Sequence, residues 1–149
     1  MTTVRVQNED FDVASEMRKL CAGNTIIGAV VSFVGLVRDV NDGSSVAGMT
    51  LEHYPGMTET ALSLIVEQAR ERWGILDCTV IHRIGSLKPG DQIVLVIVAS
   101  AHRGQAFDAC EFIMDYLKTR APLWKKEQTA AGERWVEARE GDDNAASRW

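Results

Sequence analysis

The sequence offers no pair of cysteines placed to form a staple or to grip a metal. Cys21, Cys78 and Cys110 are three, an odd number, far apart and without a CxxC spacing. A disulfide framework and a cysteine-based metal site are both unsupported, and a reducing cytoplasm suits the chain. A Walker loop, a GxGxxG turn and an HExxH helix are also missing, and with them the common signatures of P-loop, dinucleotide and zinc-peptidase chemistry. No apolar run approaches the roughly 20 residues that span a bilayer. The opening residues MTTVRVQNEDFD lack the apolar core of a secretory signal. Repeats, low-complexity tracts and linkers are lacking too. These absences predict a cytoplasmic, soluble protein with no metal, no cofactor and no membrane partner.

What is present fits one domain over residues 1–149. The chain is 46% hydrophobic and 25% charged, as in ordinary globular proteins. A chain of this size buries roughly two-thirds of its unfolded surface, so its core needs no staple. The net charge of -5, from 16 basic and 21 acidic side chains, argues against a nucleic-acid binder. The average conceals a reversal. Lys118, Arg120, Lys125 and Lys126 fall within nine residues that contain no acid. Cations gathered in an acidic protein suit a small anionic ligand.

Periodicity sketches the elements. Residues 12–22 read as a short helix, with Asp12 as cap, Val13, Met17, Leu20 and Cys21 as its apolar face and Gly23 as its stop. Residues 25–37, TIIGAVVSFVGLV, read as a strand buried on both faces. A polar loop at 39–45 leads to a strand at 46–54. Pro55-Gly56 opens a helix with the stripe Met57, Ala61, Leu64, Ile65, Ala69 and Trp73, closed by Gly74. Residues 76–84 and 92–100 form an antiparallel hairpin, whose connection SLKPGD carries a type II turn at Pro89-Gly90. A third helix, 104–120, buries Phe107, Cys110, Met114 and Leu117 and ends before Pro122. Two short strands, 123–127 and 133–138, flank the turn TAAGE, and the tail from 139 is polar until Trp149. This order predicts an α+β fold with a largely antiparallel sheet.

Several residues are candidates for chemistry, each with an ordinary alternative. His102-Arg103 joins a strand to a helix start, where anions are attracted, yet a solvated loop pair has the same appearance. Lys118 near a helix end is favoured by the dipole alone. It also shares a face with Met114, which half-buries the amine and disfavours its proton. Strand alternation groups Trp124 with Lys126 and Leu123 with Lys125, so only one lysine faces the Lys118 side. A lysine-guarded strand edge explains either one equally well. Arg38 ends a strand and can hold a phosphate through two hydrogen bonds, or serve as an ordinary first polar residue. His53 and His82 lie inside strand patterns and read as structural. No thiol has a neighbour that would activate it.

Four blocks carry a further signal: LEHYPGMTE (51–59), VIHRIGSLKPGD (80–91), SAHR (100–103), and MDYLKTRAPLWKKE (114–127) followed by RWVEAR (134–139). Together they resemble the large, catalytic subunit of molybdopterin synthase, over residues 28–149. The resemblance implies an α/β-hammerhead with an additional antiparallel β subdomain. It implies a sulfurtransferase of molybdenum cofactor biosynthesis that converts cyclic pyranopterin monophosphate (precursor Z) into molybdopterin. Two sulfurs come from the C-terminal Gly-Gly thiocarboxylate of a small ubiquitin-like carrier subunit, in a heterotetramer built on a homodimer. By the same resemblance Lys118 and Lys125 are the catalytic pair. Arg38, His102 and Arg103 bind phosphate or pterin, His102 and Arg103 from the neighbouring subunit. Lys126 and Glu127 continue the substrate-contacting segment, and Arg139 is a further candidate. The competing reading is a non-catalytic pterin- or phosphate-binding module using the same cations.

Overall fold

A computed structural model describes residues 2–41, 43–136 and 140–149. In chain order the elements are β1 (Thr2–Gln7), α1 (Val13–Cys21), β2 (Ala29–Leu36), β3 (Val40–Asn41) and β4 (Ser44–His53). There follow α2 (Met57–Trp73), β5 (Asp77–Arg83), β6 (Gly85–Leu87) and β7 (Gln92–Ser100). The last are α3 (Arg103–Arg120), β8 (Leu123–Thr129), β9 (Gly132–Val136) and α4 (Glu140–Ala146). Two sheets result. One has the order β1-β5-β7-β2; the other runs β3-β4-β8-β9, with β6 pairing β4. Only β1 and β5 run parallel, so the α+β, largely antiparallel expectation holds, and the second sheet is the additional antiparallel subdomain.

The centre of the first sheet is β7. Its residues QIVLVIVAS form a continuous apolar run because both faces are covered. Alternation sends Val94, Val96 and Val98 to the side that packs on α2 and α3, and Leu95, Ile97 and Ala99 to the side covered by α1. The cluster under α2 and α3 also takes in Met49, Leu51 and Leu87, so the second sheet is anchored in the same apolar mass.

Burial on both faces was expected of residues 25–37, and the structure corrects this. Regular pairing covers only Ala29–Leu36, and β2 lies at the sheet edge with Phe33 40% and Leu36 53% exposed. Hydrophobicity alone did not distinguish an edge strand with an uncovered apolar face from a central one. Gly28 sits beside this strand for a steric reason: a Cβ there would stand 2.2 Å from the Ala101 carbonyl oxygen. A register shift between Gly35 and Leu36 ends the pairing with β7. The chain is then held by Val37 N–H donating to Asp91 O (2.9 Å) and Gly90 N–H donating to Val37 O (2.8 Å).

The helices follow their caps. Asp12 accepts from Ser15 N–H at the start of α1, and Gly74 closes α2 in the left-handed region, donating to Arg70 O. The buried face of α2 is turned from the expected one: Thr58, Leu62, Ile65, Val66 and Ala69 are inside, while Met57 and Leu64 are exposed. Thr58 takes a core position because its hydroxyl accepts from Tyr54 N–H and donates to Pro122 O. On α3, Cys110, Met114 and Leu117 are buried as expected, but Phe107 points outward. Ala106 and Ala109 lie against the core in its place.

Four elements have no counterpart in the sequence reading: β1, β3, β6 and α4. The tail, expected to be merely polar, forms α4 and ends with Trp149 edge-on to Trp73 and Phe112, at 5.3 and 5.9 Å. Its indole Nε1 donates to Asp115, as does Arg148. The expected strand 133–138 is seen as Gly132–Val136; residues 137 and 138 lie outside the described residues. Among the described residues no helix is long and apolar enough to cross a membrane.

Candidate active site

Helix α3 cannot continue past Arg120, because Pro122 biases Ala121 to extended backbone and lacks a donor. The chain therefore turns a corner at Ala121-Pro122 and returns as β8. That corner brings Lys118, at the end of α3, to Lys125, the third residue of β8. Between them and the open end of β2 lies a cavity of about 300 Å³, which is roughly the lower bound for small-molecule sites. Its polar lining is Arg38, His82, Lys118, Lys125, Glu127 and Asp142; Phe33, Leu36, Met49 and Leu117 contribute apolar wall.

Alternation along β8 works as expected. Leu123, Lys125 and Glu127 line the cavity, while Lys126 is on the opposite face, 4.8 Å over the Trp135 ring and 3.5 Å from Glu133. The two adjacent lysines thus have different surroundings. Lys126 belongs to an exposed cross-strand cluster, and Lys125 belongs to the cavity.

The sequence reading placed the half-buried amine at Lys118. In the structure Lys118 is exposed at the cavity rim, and Lys125 is the half-buried one. Burial lowers the Lys125 amine from 10.5 to about 8, helped by the charge and hydrogen bonding of Lys118 and opposed by Asp142 and Glu127. The misplacement has a simple cause: the stripe through Met114 passes Lys118 on its way out of the core, whereas β8 carries Lys125 beneath the cavity roof.

Glu127 is 3% exposed and faces Arg134 across the β8–β9 pair, with Oε1 3.1 Å from Nη2 and 3.2 Å from Nε. A guanidinium fork of this kind holds the buried carboxylate in one orientation. Arg38 is exposed at the cavity mouth, just beyond the β2 register shift.

His82 was read as structural and is now also a cavity residue, though only 4% exposed. Burial, and then the charges of Lys118, Lys125 and His53, push its imidazole down from 6.5 to about 4, against the bond to the Arg83 carbonyl. A signal was available: in DCTVIHR, alternation puts His82 on the same face as Cys78 and Val80, which pack toward α3.

Two candidates are elsewhere. His102 and Arg103 are exposed at the start of α3, and Arg103 is about 22 Å along the helix axis from Lys118 at 1.5 Å per residue. They do not reach this chain's cavity. Arg139 lies outside the described residues. Among the described residues no group of three or more His, Cys, Asp or Glu is placed to hold a metal. Burial raises the thiols of Cys78 and Cys110, the latter to about 12, so neither is activated as a nucleophile.

Two cations, Arg38 and Lys118, and one readily deprotonated amine, Lys125, in a half-enclosed cavity can bind an anion, stabilise developing negative charge and move a proton near neutral pH. Comparison with known proteins agrees in one direction. A family model described as "MoaE protein" matches residues 6–120. A molybdopterin synthase catalytic subunit from Ralstonia nicotianae is 64% identical over 149 residues, covering 100% of this chain and 85% of the relative. One from Pseudomonas aeruginosa is 61% identical over 146 residues, covering 98% and 97%. The solved molybdopterin biosynthesis MoaE protein of Burkholderia ambifaria superposes with a TM-score of 0.86 at 55% identity, covering 100% of this chain and 98% of that one.

Proposed function

The chain belongs to the MoaE protein family, and on that premise we propose that it is the catalytic subunit of a molybdopterin synthase. It is a sulfurtransferase that converts cyclic pyranopterin monophosphate into molybdopterin. The sulfur comes from the C-terminal thiocarboxylate of a small ubiquitin-like carrier subunit.

The observation that carries this reading is the Lys118–Lys125 pair in the cavity, with the Lys125 amine lowered to about 8. When a thiocarboxylate gives up sulfur, negative charge builds on the acyl carbon's substituents, and fixed cations in a partly dry site stabilise it. Lys125 is the proton carrier, since an amine near 8 is charged and uncharged in comparable amounts at working pH. Lys118 holds the anionic tail of the carrier and keeps Lys125 labile. Arg38 at the mouth binds the cyclic phosphate in the bidentate manner open to a guanidinium. Glu127 fixes the cavity wall through Arg134, and Lys126, on the opposite face of β8, takes no part in the cavity.

The carrier's tail, ending in glycine, is narrow enough to thread such a cavity. Phe33 and Leu36, uncovered at the β2 edge and lining the same cavity, support docking of the carrier body there. His102 and Arg103 act at the cavity of a second copy in a homodimer core, which suits their distance from Lys118.

The test is direct: mix the protein with thiocarboxylated carrier and cyclic pyranopterin monophosphate, and measure dithiolene formation. Product is expected. With demonstrably active components, absence of product overturns the reading and leaves the non-catalytic binding module.

A further inference from the structure

His82 has a fixed tautomer. Its Nδ1 lies 2.8 Å from the backbone carbonyl oxygen of Arg83. A carbonyl only accepts, so Nδ1 must carry the hydrogen, and Nε2 is left with its lone pair. Among the described residues no hydrogen bond to Nε2 is seen, and the ring, 4% exposed, is part of the cavity lining.

That makes His82 unusual among the polar groups of the cavity. Arg38, Lys118 and Lys125 are donors and cations. Glu127 is engaged by Arg134. Asp142 is an acceptor, but as a carboxylate it pairs electrostatically with Lys125. A site built from cations recognises phosphate and carbonyl oxygens well. It needs a different group to recognise N–H, and a further carboxylate would neutralise the cations it sits among. A neutral imidazole nitrogen supplies an acceptor at no cost in charge.

We propose that His82 is a substrate-binding residue whose Nε2 accepts a hydrogen bond from an N–H group of the heterocycle held in the cavity. This rests on the synthase reading, because it takes the ligand to be a reduced pterin, whose ring and amino nitrogens are N–H donors. The groups that face the imidazole are Lys118 from α3, Lys125 from β8 and His53 from β4. Together with burial they keep Nε2 unprotonated down to about pH 4, so the acceptor is present throughout the working range.

Two substitutions separate the halves of the ring. His82→Asn keeps a donor near the Nδ1 position, for the Arg83 carbonyl, and removes the distal acceptor. His82→Gln places an amide oxygen near the Nε2 position. Binding of cyclic pyranopterin monophosphate is measured by calorimetry, with KM and kcat from the complete reaction and thermal unfolding as a control. Loss of one neutral hydrogen bond predicts binding about five- to tenfold weaker for His82→Asn, seen in KM more than kcat. His82→Gln is expected to stay within about threefold of the parent. In the unsubstituted protein the nitrogen resonance of Nε2 should shift on saturation with the ligand.

Equal binding by His82→Asn and the parent overturns the proposal. So does an unmoved Nε2 resonance, which settles the matter even where the variants fold poorly. Equal weakening in both variants with matching losses of thermal stability assigns His82 to the core alone. Failure of the unsubstituted protein to bind or convert the pterin at all instead rejects the synthase reading on which the proposal stands.

Discussion

Lys118 and Lys125 line one cavity closely enough for the Lys118 charge to lower the Lys125 amine, and Lys125 is the deeper of the two. A charged neighbour of the same sign disfavours a second charge, so the proton on Lys125 is held less tightly while Lys118 is charged.

The pH dependence follows. If uncharged Lys125 accepts a proton, kcat/KM rises with pH through about 8, where the buried amine deprotonates. Lys118→Ala removes the neighbouring charge and moves that limb upward, by about one pH unit, besides lowering the rate at least about a hundredfold. A pH–rate profile of the residual activity checks the displacement. An unmoved limb means that Lys125 is not the titrating group.

Stability should also rise with pH, but removing the amine should move stability and activity in opposite directions. The Lys125 amine sits at about 8 when folded and 10.5 ordinarily, so between these values the unfolded chain holds the extra proton and stability rises with pH. Below pH 8 the fold carries a charge in a costly place. Lys125→Met is accordingly expected to abolish turnover while raising stability at pH 7 by about 1–3 kcal/mol. Denaturant unfolding of both proteins decides it.

His102 and Arg103 allow a complementation test. In a dimer of an Arg103→Ala chain with a Lys118→Ala chain, exchange across the interface leaves one cavity with both groups intact. Co-expression of the two inactive variants should then restore about a quarter of normal activity, since roughly half the dimers are mixed. If Arg103 served its own chain, no cavity would hold both and no activity would return.

Trp149 ties α4 to the helical layer through its ring contacts with Trp73 and Phe112 and its bond to Asp115. Trp149→Ala should cost about 1–3 kcal/mol, less than a fully buried tryptophan, and lower the melting temperature by several degrees. Because α4 carries Asp142 to the cavity, the same substitution is expected to lower the Lys125 pKa further.

Much of the frame was legible because local signals and tertiary demands coincide in it. Asp12, Gly74, Pro89-Gly90 and Pro122 each dictate a backbone conformation whatever surrounds them, and each marks the expected boundary. The faces were less legible. Thr58 is buried through two hydrogen bonds that no hydropathy pattern contains, and Phe107 is displaced outward by two alanines. Strands β1 and β6 are defined by partners distant in sequence, and β3 is only two residues long beside its turn, so these short segments carried no pattern of their own. In the site, alternation separated Lys125 from Lys126 correctly. It misjudged which amine is buried, since depth depends on how β8 meets α3. His82 was passed over because a histidine inside an apolar strand looks the same whether its ring ends in the core or at a cavity.

The corner at Ala121-Pro122 also sets two like charges against each other. The Lys118 charge acts across the corner on Lys125, whose strand is held by β4 and β9 on either side. An anion seated between the amines would offset that repulsion. The corner should therefore stiffen on ligation, with backbone amides of residues 117–126 exchanging hydrogen more slowly when phosphate-bearing substrate is bound.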